Sequence, residues 1–142
     1  MTHALTPHRC SVLIVDDDAE VRELLRVALH AEDFQVAGAA NGREALDHLR
    51  SHADTCIILL DLMLPVMDGM HFRTAQLHDR SLAWIPVIVM SGAPDPERRA
   101  RGLDARRLVR KPLDLDEVKQ ALSDVGCCQA RPRRAPPAVP SV

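Results

Sequence analysis

Aromatic side chains are nearly missing from this chain. Phe34, Phe72 and Trp84 make up the 2%, and there is no tyrosine. That argues against recognition by base stacking or by an aromatic cage, both of which need several ring faces in one place. A dominant charge is lacking too. Eighteen Lys and Arg against twenty Asp and Glu leave a formal net charge of −2, so no whole-molecule field points to nucleic acid or an anionic membrane. No apolar run approaches the roughly 20 residues that a bilayer-spanning helix requires. The opening Met1-Thr2-His3-Ala4-Leu5-Thr6-Pro7-His8-Arg9 lacks the apolar stretch of a signal peptide. The four cysteines, Cys10, Cys56, Cys127 and Cys128, lack paired zinc-ligand spacing. With no sign of secretion, reduced thiols in a cytoplasmic protein are the expectation.

What is present suffices for one domain with a core: 142 residues, 46% hydrophobic and 27% charged. The most informative stretch is Ile57-Ile58-Leu59-Leu60-Asp61, followed by Leu62-Met63-Leu64-Pro65-Val66-Met67-Asp68-Gly69. The apolar run reads as a strand buried on both faces. Pro65 and Asp68-Gly69 are turn chemistry, which places Asp61 at the mouth of a loop and outside the core. The same design occurs earlier, where Val12-Leu13-Ile14-Val15 runs into Asp16-Asp17-Asp18. Two acid-bearing strand ends on neighbouring parallel strands would gather carboxylates into one crevice, suited to a hard cation and a phosphoryl group.

Strand-like runs alternate with helix-period segments along most of the chain. Strands are expected at Ser11–Val15, Phe34–Ala39, Cys56–Leu60, Pro86–Met90 and near Arg107–Arg110. Helices are expected at Ala19–His30, from an Asn41 cap to about Ser51, from Gly69 to about Asp79, around Glu97–Arg101, and from an Asp114 cap to about Val125. Val21, Leu24, Leu25, Ala28 and Leu29 form one apolar stripe on the first helix. Asn41-Gly42-Arg43-Glu44 has the form of a capping box. Five β-α units imply an α/β fold with a parallel sheet covered on both faces by right-handed crossovers. Ligands then collect at the carboxyl ends of the strands. The expected organisation is an N-terminal extension over 1–9, one domain over 10–125, and a disordered Pro/Arg-rich tail over 126–142.

Five positions stand at or just past predicted strand ends: Asp16, Asp17, Asp61, Ser91 and Lys111. Clustered carboxylates repel and raise one another's pKa, and a bound Mg²⁺, which prefers oxygen ligands, removes that penalty. Asp61 is then the candidate nucleophile for an aspartyl-phosphate. Lys111 and the cation would supply charge, and Ser91 a hydroxyl hydrogen bond to a phosphoryl oxygen.

With these residues in hand, the chain resembles the receiver domain of two-component response regulators. The matching motifs are Val-Asp-Asp-Asp at 15–18, Leu-Asp-Leu-Met-Leu-Pro-Val-Met-Asp-Gly at 60–69, Met-Ser-Gly at 90–92 and Arg-Lys-Pro at 110–112. Each is weak alone; their joint order and spacing are specific. The resemblance implies a flavodoxin-like sheet in strand order 2-1-3-4-5. It implies Asp61 as phosphoacceptor and a Mg²⁺ site from Asp16, Asp17, Asp61 and the backbone carbonyl of Met63. Ser91 and Lys111 take the phosphate-sensing and counter-charge roles, and Lys111-Pro112 is expected to be cis. The partners implied are a histidine kinase or histidine phosphotransfer protein and a downstream protein target, with a homodimer on activation as a further possibility. No direct nucleic-acid contact and no membrane insertion are implied. The protein is expected not to be an enzyme beyond its own phosphorylation and slow dephosphorylation, and no DNA-reading segment is recognised, so output is expected through a partner or a further phosphotransfer.

The chain departs from the family at named positions. Leu108 stands where an aromatic switch residue is usual, so Ser91 and Leu108 form an altered switch pair. Gly102 precedes the point where the family places its glycine, Asp104, and Ala93-Pro94-Asp95-Pro96 trims the following helix. Met63 and Ala93 occupy positions that influence hydrolysis of the phosphoryl-aspartate. Two rival readings stand beside this one: a phosphorylation-independent, receiver-like scaffold, and an Asp-nucleophile phosphohydrolase, which would need a second acid where Met63 sits. Plainer roles are open elsewhere. Asp18 is a third ligand or a helix cap, Asp68 a cap, and Asp61 itself a strand-end turn residue on the blandest reading. The cluster Arg98, Arg99, Arg101, Arg106, Arg107 and Arg110 is a docking face or a solvated one. Cys127-Cys128 reads as a bystander, and the seven His as scattered.

Overall fold

The computed structural model describes residues 10–126, so the expected N-terminal extension and the tail beyond Gly126 lie outside the described residues. The strands are β1 (Ser11–Val15), β2 (Gln35–Ala39), β3 (Ile57–Asp61), β4 (Val87–Ser91) and β5 (Arg107–Arg110). The helices are α1 (Ala19–His30), α2 (Gly42–Ser51), α3 (Gly69–His78), α4 (Pro96–Arg101) and α5 (Leu115–Val125). All four strand pairings are parallel, in the order β2-β1-β3-β4-β5. This is the expected fold and strand order.

Alternation along the central strands explains the two-sided core. Leu13, Val15, Ile58, Leu60, Val87 and Val89 face one cluster, closed by Ala45, Leu46 and Leu49 of α2 and Phe72 of α3. Val12, Ile14, Ile57, Leu59, Ile88 and Met90 face the other, closed by Leu25 and Leu29 of α1 and by Val118, Ala121 and Leu122 of α5. Each strand therefore needs apolar residues at every position, which is why the runs look continuous. Leu24, expected on the buried stripe of α1, is instead exposed.

Caps set where the helices begin. Asp18 accepts from the backbone N–H groups of Glu20 and Val21, so it is the N-cap of α1. Asp68 caps α3 through the His71 N–H. Asn41 caps α2, and Glu44 reaches back to the Ala40 N–H, one residue earlier than a capping box requires. The short α4 starts at Pro96 and follows Asp95, which holds a left-handed backbone and makes no side-chain cap bond.

Val66, in the loop between β3 and α3, has φ 65 and is exposed. A β-branched side chain crowds its own backbone there, a strain of about 1–3 kcal/mol. Val66→Asn, which tolerates that conformation, is expected to stabilise the fold by about 1 kcal/mol in denaturant melts. A loss of stability would show that the side chain holds the loop by contact.

One expectation about the thiols fails. Cys10 is disulfide-bonded, while Cys56 is buried in the core. Among the described residues no helix is long and apolar enough to cross a membrane.

Candidate functional site

The carboxyl ends of β1, β3, β4 and β5 meet at one end of the sheet, and each supplies one part of a polar cluster. Asp16 follows β1, Asp61 closes β3, Ser91 closes β4 and Lys111 follows β5. The register accounts for their meeting: Val15 lies beside Leu60, Asp61 beside Met90, and Ser91 beside Arg110. Four of the five positions named in sequence are therefore brought together, and the fifth, Asp17, follows Asp16 into the same cluster. Asp61 stands at the strand end where the loop leaves, as expected, but it is buried and does not lie outside the core. It is the last residue of its strand and 4% exposed, and the β3–α3 loop returns against the strand end, the Gly69 N–H donating to Leu62 O. Gly69 permits that return: a Cβ there would lie 2.9 Å from Leu62 Cα and 3.1 Å from the Asp61 carbonyl oxygen.

The hydrogen bonds are specific to single oxygens. Lys111 Nζ donates to Asp16 Oδ2 at 2.7 Å and to Asp61 Oδ2 at 3.1 Å. Asp61 Oδ1 accepts from the Met63 N–H at 3.0 Å, and Asp16 Oδ1 from the Asp18 N–H at 2.9 Å. Ser91 is buried, its Oγ accepting from the Ala93 N–H at 3.1 Å, and its carbonyl accepts from the Lys111 N–H at 2.9 Å. The Lys111-Pro112 bond is cis, as expected. Leu108 is half-buried and packs on the core cluster beneath α2 and α3.

Burial pushes the Asp61 carboxyl up from its ordinary pKa. The Met63 N–H and the Lys111 ammonium counter this only in part, and the Asp16 charge adds to it. For Lys111 burial acts downward, but its hydrogen bonds to Asp16 and Asp61 outweigh it and hold the ammonium above its ordinary value. A carboxyl whose pKa is raised on folding favours the fold while protonated. That contribution is fully present below the unfolded value of about 3.9 and is lost as pH rises through the raised folded value. Asp61→Asn removes the ionisation. Without divalent cation, its stability advantage over the parent protein should grow as pH climbs from about 4. A difference that stays flat with pH would refute the raised carboxyl.

Asp16, Asp17 and Asp61 each place a ligand atom so that all three lie within 4.8 Å of one another, with Asp17 the exposed member. Hard carboxylate oxygens, partly open to water, are the donor set that Mg²⁺ takes. The residues present fit that ion. Met63, whose backbone carbonyl the family resemblance adds to the expected ligands, has an exposed side chain.

Two arginines of the cluster pair with acids at the surface, Arg107 with Asp124 and Arg110 with Glu97, which supports a solvated face. His48 and His52 are stacked, ring centroids 4.1 Å apart, so they are not scattered as the sequence suggested. Sequence reasoning passed over Arg22 and Arg73. Arg22 Nη1 donates to the Asp16 carbonyl at 2.7 Å. Arg73 is buried in α3 and donates to Leu103 O at 2.8 Å, Asp104 O at 3.3 Å and Gln76 Oε1 at 2.7 Å. A lone arginine in a helix carries no signal of either arrangement.

The chain matches the response regulator receiver domain over residues 12–123. It is 35% identical over 109 residues to the transcriptional regulatory protein SrrA of Staphylococcus aureus (strain NCTC 8325 / PS 47). That match covers 75% of this chain and 44% of the relative, so the chain spans under half of the curated protein. In structure it is similar to the chemotaxis response regulator CheY4 of Vibrio cholerae, with TM-score 0.77, 26% identity, and coverage of 83% of this chain and 99% of that one. A response regulator receiver protein from Pseudomonas putida superposes with TM-score 0.76 and 26% identity, covering 84% and 99%. Fold, strand order, sequence match and the acids at the strand ends agree: the chain belongs to the response regulator receiver family of two-component signalling.

Proposed function

We propose that Asp61 accepts a phosphoryl group from a histidine kinase or a histidine phosphotransfer protein. The observation that carries this reading is the Lys111 ammonium shared between Asp16 Oδ2 and Asp61 Oδ2, beside buried Ser91. Asp61 Oδ1 is held by a backbone N–H, while Oδ2 is held only by a side chain that can turn to an incoming phosphoryl oxygen. Oδ2 is therefore the attacking atom. It forms the new O–P bond as the P–N bond of the phosphohistidine breaks, and the departing imidazole nitrogen keeps the electron pair and takes a proton. Lys111 follows the negative charge onto the phosphoryl group, and the Ser91 hydroxyl donates to one of its oxygens. Asp16, Asp17, Asp61 and the Met63 carbonyl would hold Mg²⁺, which supplies positive charge at the transferring group. The chain transforms no other substrate and catalyses only its own phosphorylation and slow dephosphorylation.

The phosphoryl group shifts a two-state equilibrium and alters a protein-binding face, through which a downstream protein, or a second copy in a homodimer, is engaged. Cytoplasmic placement accords with such a phosphodonor. Leu108, half-buried and without a hydroxyl, and the short α4 give the phosphorylation-independent scaffold its support.

Intact mass after incubation with Mg²⁺ and acetyl phosphate or phosphoramidate tests the reading. A gain of one phosphoryl group, absent in Asp61→Asn and in EDTA, is expected; no gain in the parent protein favours the scaffold. Once formed, the phosphoryl-aspartate should persist, because neither Met63 nor Ala93 can orient an attacking water with its side chain. Phosphorus release from the purified protein within seconds would sink that expectation.

A further inference from the structure

Asp16 is fully buried, and each of its polar groups has a partner. Its N–H donates to Ala39 O at 3.1 Å, Oδ1 accepts from the Asp18 N–H, and Oδ2 accepts from Lys111. Its carbonyl lies past the end of β1, beyond the paired register with β2 and β3, where a buried oxygen would be orphaned. The guanidinium of Arg22 supplies that partner at 2.7 Å. Arg22 sits in the first turn of α1, its own N–H bonded to Asp18 O at 3.0 Å. The side chain returns toward β1 over the sheet face at Gly38. A Cβ on Gly38 would come within 3.2 Å of Arg22 Cδ and 3.6 Å of Nε, so the strand carries no side chain where the arginine stem runs. Ala19 and Ala37 line the same groove.

The structure assigns Arg22, running over Gly38, as a positioning residue for the acidic site: its bond to the Asp16 carbonyl fixes the peptide between Asp16 and Asp17. This rests on the proposed Mg²⁺-dependent reading of that site. Both carboxylates leave the chain on either side of this one peptide, so its orientation decides whether they converge. Two effects oppose each other when the guanidinium is removed. Convergence is lost, which weakens cation binding; a positive charge is lost as well, which strengthens it. The guanidinium holds a backbone carbonyl at close range, and its charge acts from the far side of that peptide, so the positional effect dominates.

The test is Mg²⁺ affinity by calorimetry, with no phosphodonor present, for the parent protein, Arg22→Met, Arg22→Lys, Gly38→Val and the double variant Arg22→Met/Gly38→Val. Arg22→Met keeps the alkyl stem and removes the donor, and should weaken binding about tenfold or more, the usual effect of losing a group that orients a ligand. Arg22→Lys should recover part of the loss. Gly38→Val, which displaces the stem from the other side, should weaken binding by itself, and the double variant should be no weaker than Arg22→Met because both changes break one contact. Unchanged affinity in folded Arg22→Met, or tighter binding, overturns the assignment. An additive double variant overturns the role of Gly38. A parent protein that binds no Mg²⁺ at all overturns the proposed function itself, an outcome distinct from parent binding that the variants leave untouched.

Discussion

Lys111→Met is expected to slow phosphorylation by acetyl phosphate by about 10²–10³-fold while tightening Mg²⁺ binding. The two effects have one source. In the structure the ammonium bridges Asp16 Oδ2 and Asp61 Oδ2, two of the three carboxylates that would hold the cation. It is thus a competitor for them before phosphate arrives. Unit charges about 4 Å apart interact by about 4 kcal/mol at an effective dielectric of 20, so the repulsion between a bound divalent cation and this ammonium is a substantial opposing force. Methionine fills similar space without that charge. During transfer the balance reverses, because three phosphoryl oxygens bring negative charge that the ammonium offsets, and loss of one preorganised donor to such charge costs about 10²–10³ in rate. Calorimetry for Mg²⁺ and mass spectrometry for phosphorylation read the two effects separately. Weaker Mg²⁺ binding in the variant would mean that Lys111 chiefly holds the carboxylates in place. An unchanged phosphorylation rate would remove it from the transfer step.

Arg73→Met should destabilise the fold by about 3 kcal/mol, a fall in melting temperature on the order of 10 °C. Arg73 is 4% exposed, and among the described residues it has no carboxylate within salt-bridge distance. It bonds two main-chain carbonyls just past α4, Leu103 and Asp104, and the side chain of Gln76. Gln76 in turn donates to Leu82 O at 2.9 Å and Ile85 O at 3.0 Å. One turn of α3 therefore holds both the loop before β4 and the loop before β5. Burial lowers the pKa of the guanidinium, with the Asp104 charge opposing and Arg106 adding to the fall. Methionine would relieve that burial penalty, but it leaves two buried acceptors, Leu103 O and Gln76 Oε1, and the part-buried Asp104 O without this donor, and unsatisfied buried groups cost about 1–3 kcal/mol each. The acceptors win. Arg26→Ala, which breaks an exposed pair with Glu23 on α1, should change stability by less than about 0.5 kcal/mol and serves as the surface control. A melt of Arg73→Met matching that control would mean that water or rearrangement satisfies the freed carbonyls.

Local sequence pattern was enough for the elements, their order and the residues that gather at the carboxyl end of the sheet. Apolar runs at 12–15, 57–60 and 87–90 read as strands covered on both faces, and the acids after the first two and Ser91 after the third stand at carboxyl ends, where a parallel sheet gathers its ligands. Caps at Asp18, Asn41, Asp68 and Asp114 were equally legible, because capping acts over three residues. Tertiary structure alone decided how deep the site lies and what holds it. Gly69 lets the following loop return against the Asp61 and Leu62 backbone, a contact that no periodicity encodes. Val66, in the same loop, holds a left-handed conformation that a β-branched residue does not predict. Lys111 meets Asp16 across 95 residues of chain and Asp61 across 50, and Arg73 meets Leu103 across 30. Pattern and propensity are local, set by 2.0- and 3.6-residue repeats and by turn chemistry. The partner of a charged side chain is chosen by where the folded sheet brings distant strand ends together, and for Arg22, Arg73 and Lys111 that choice exists only in three dimensions.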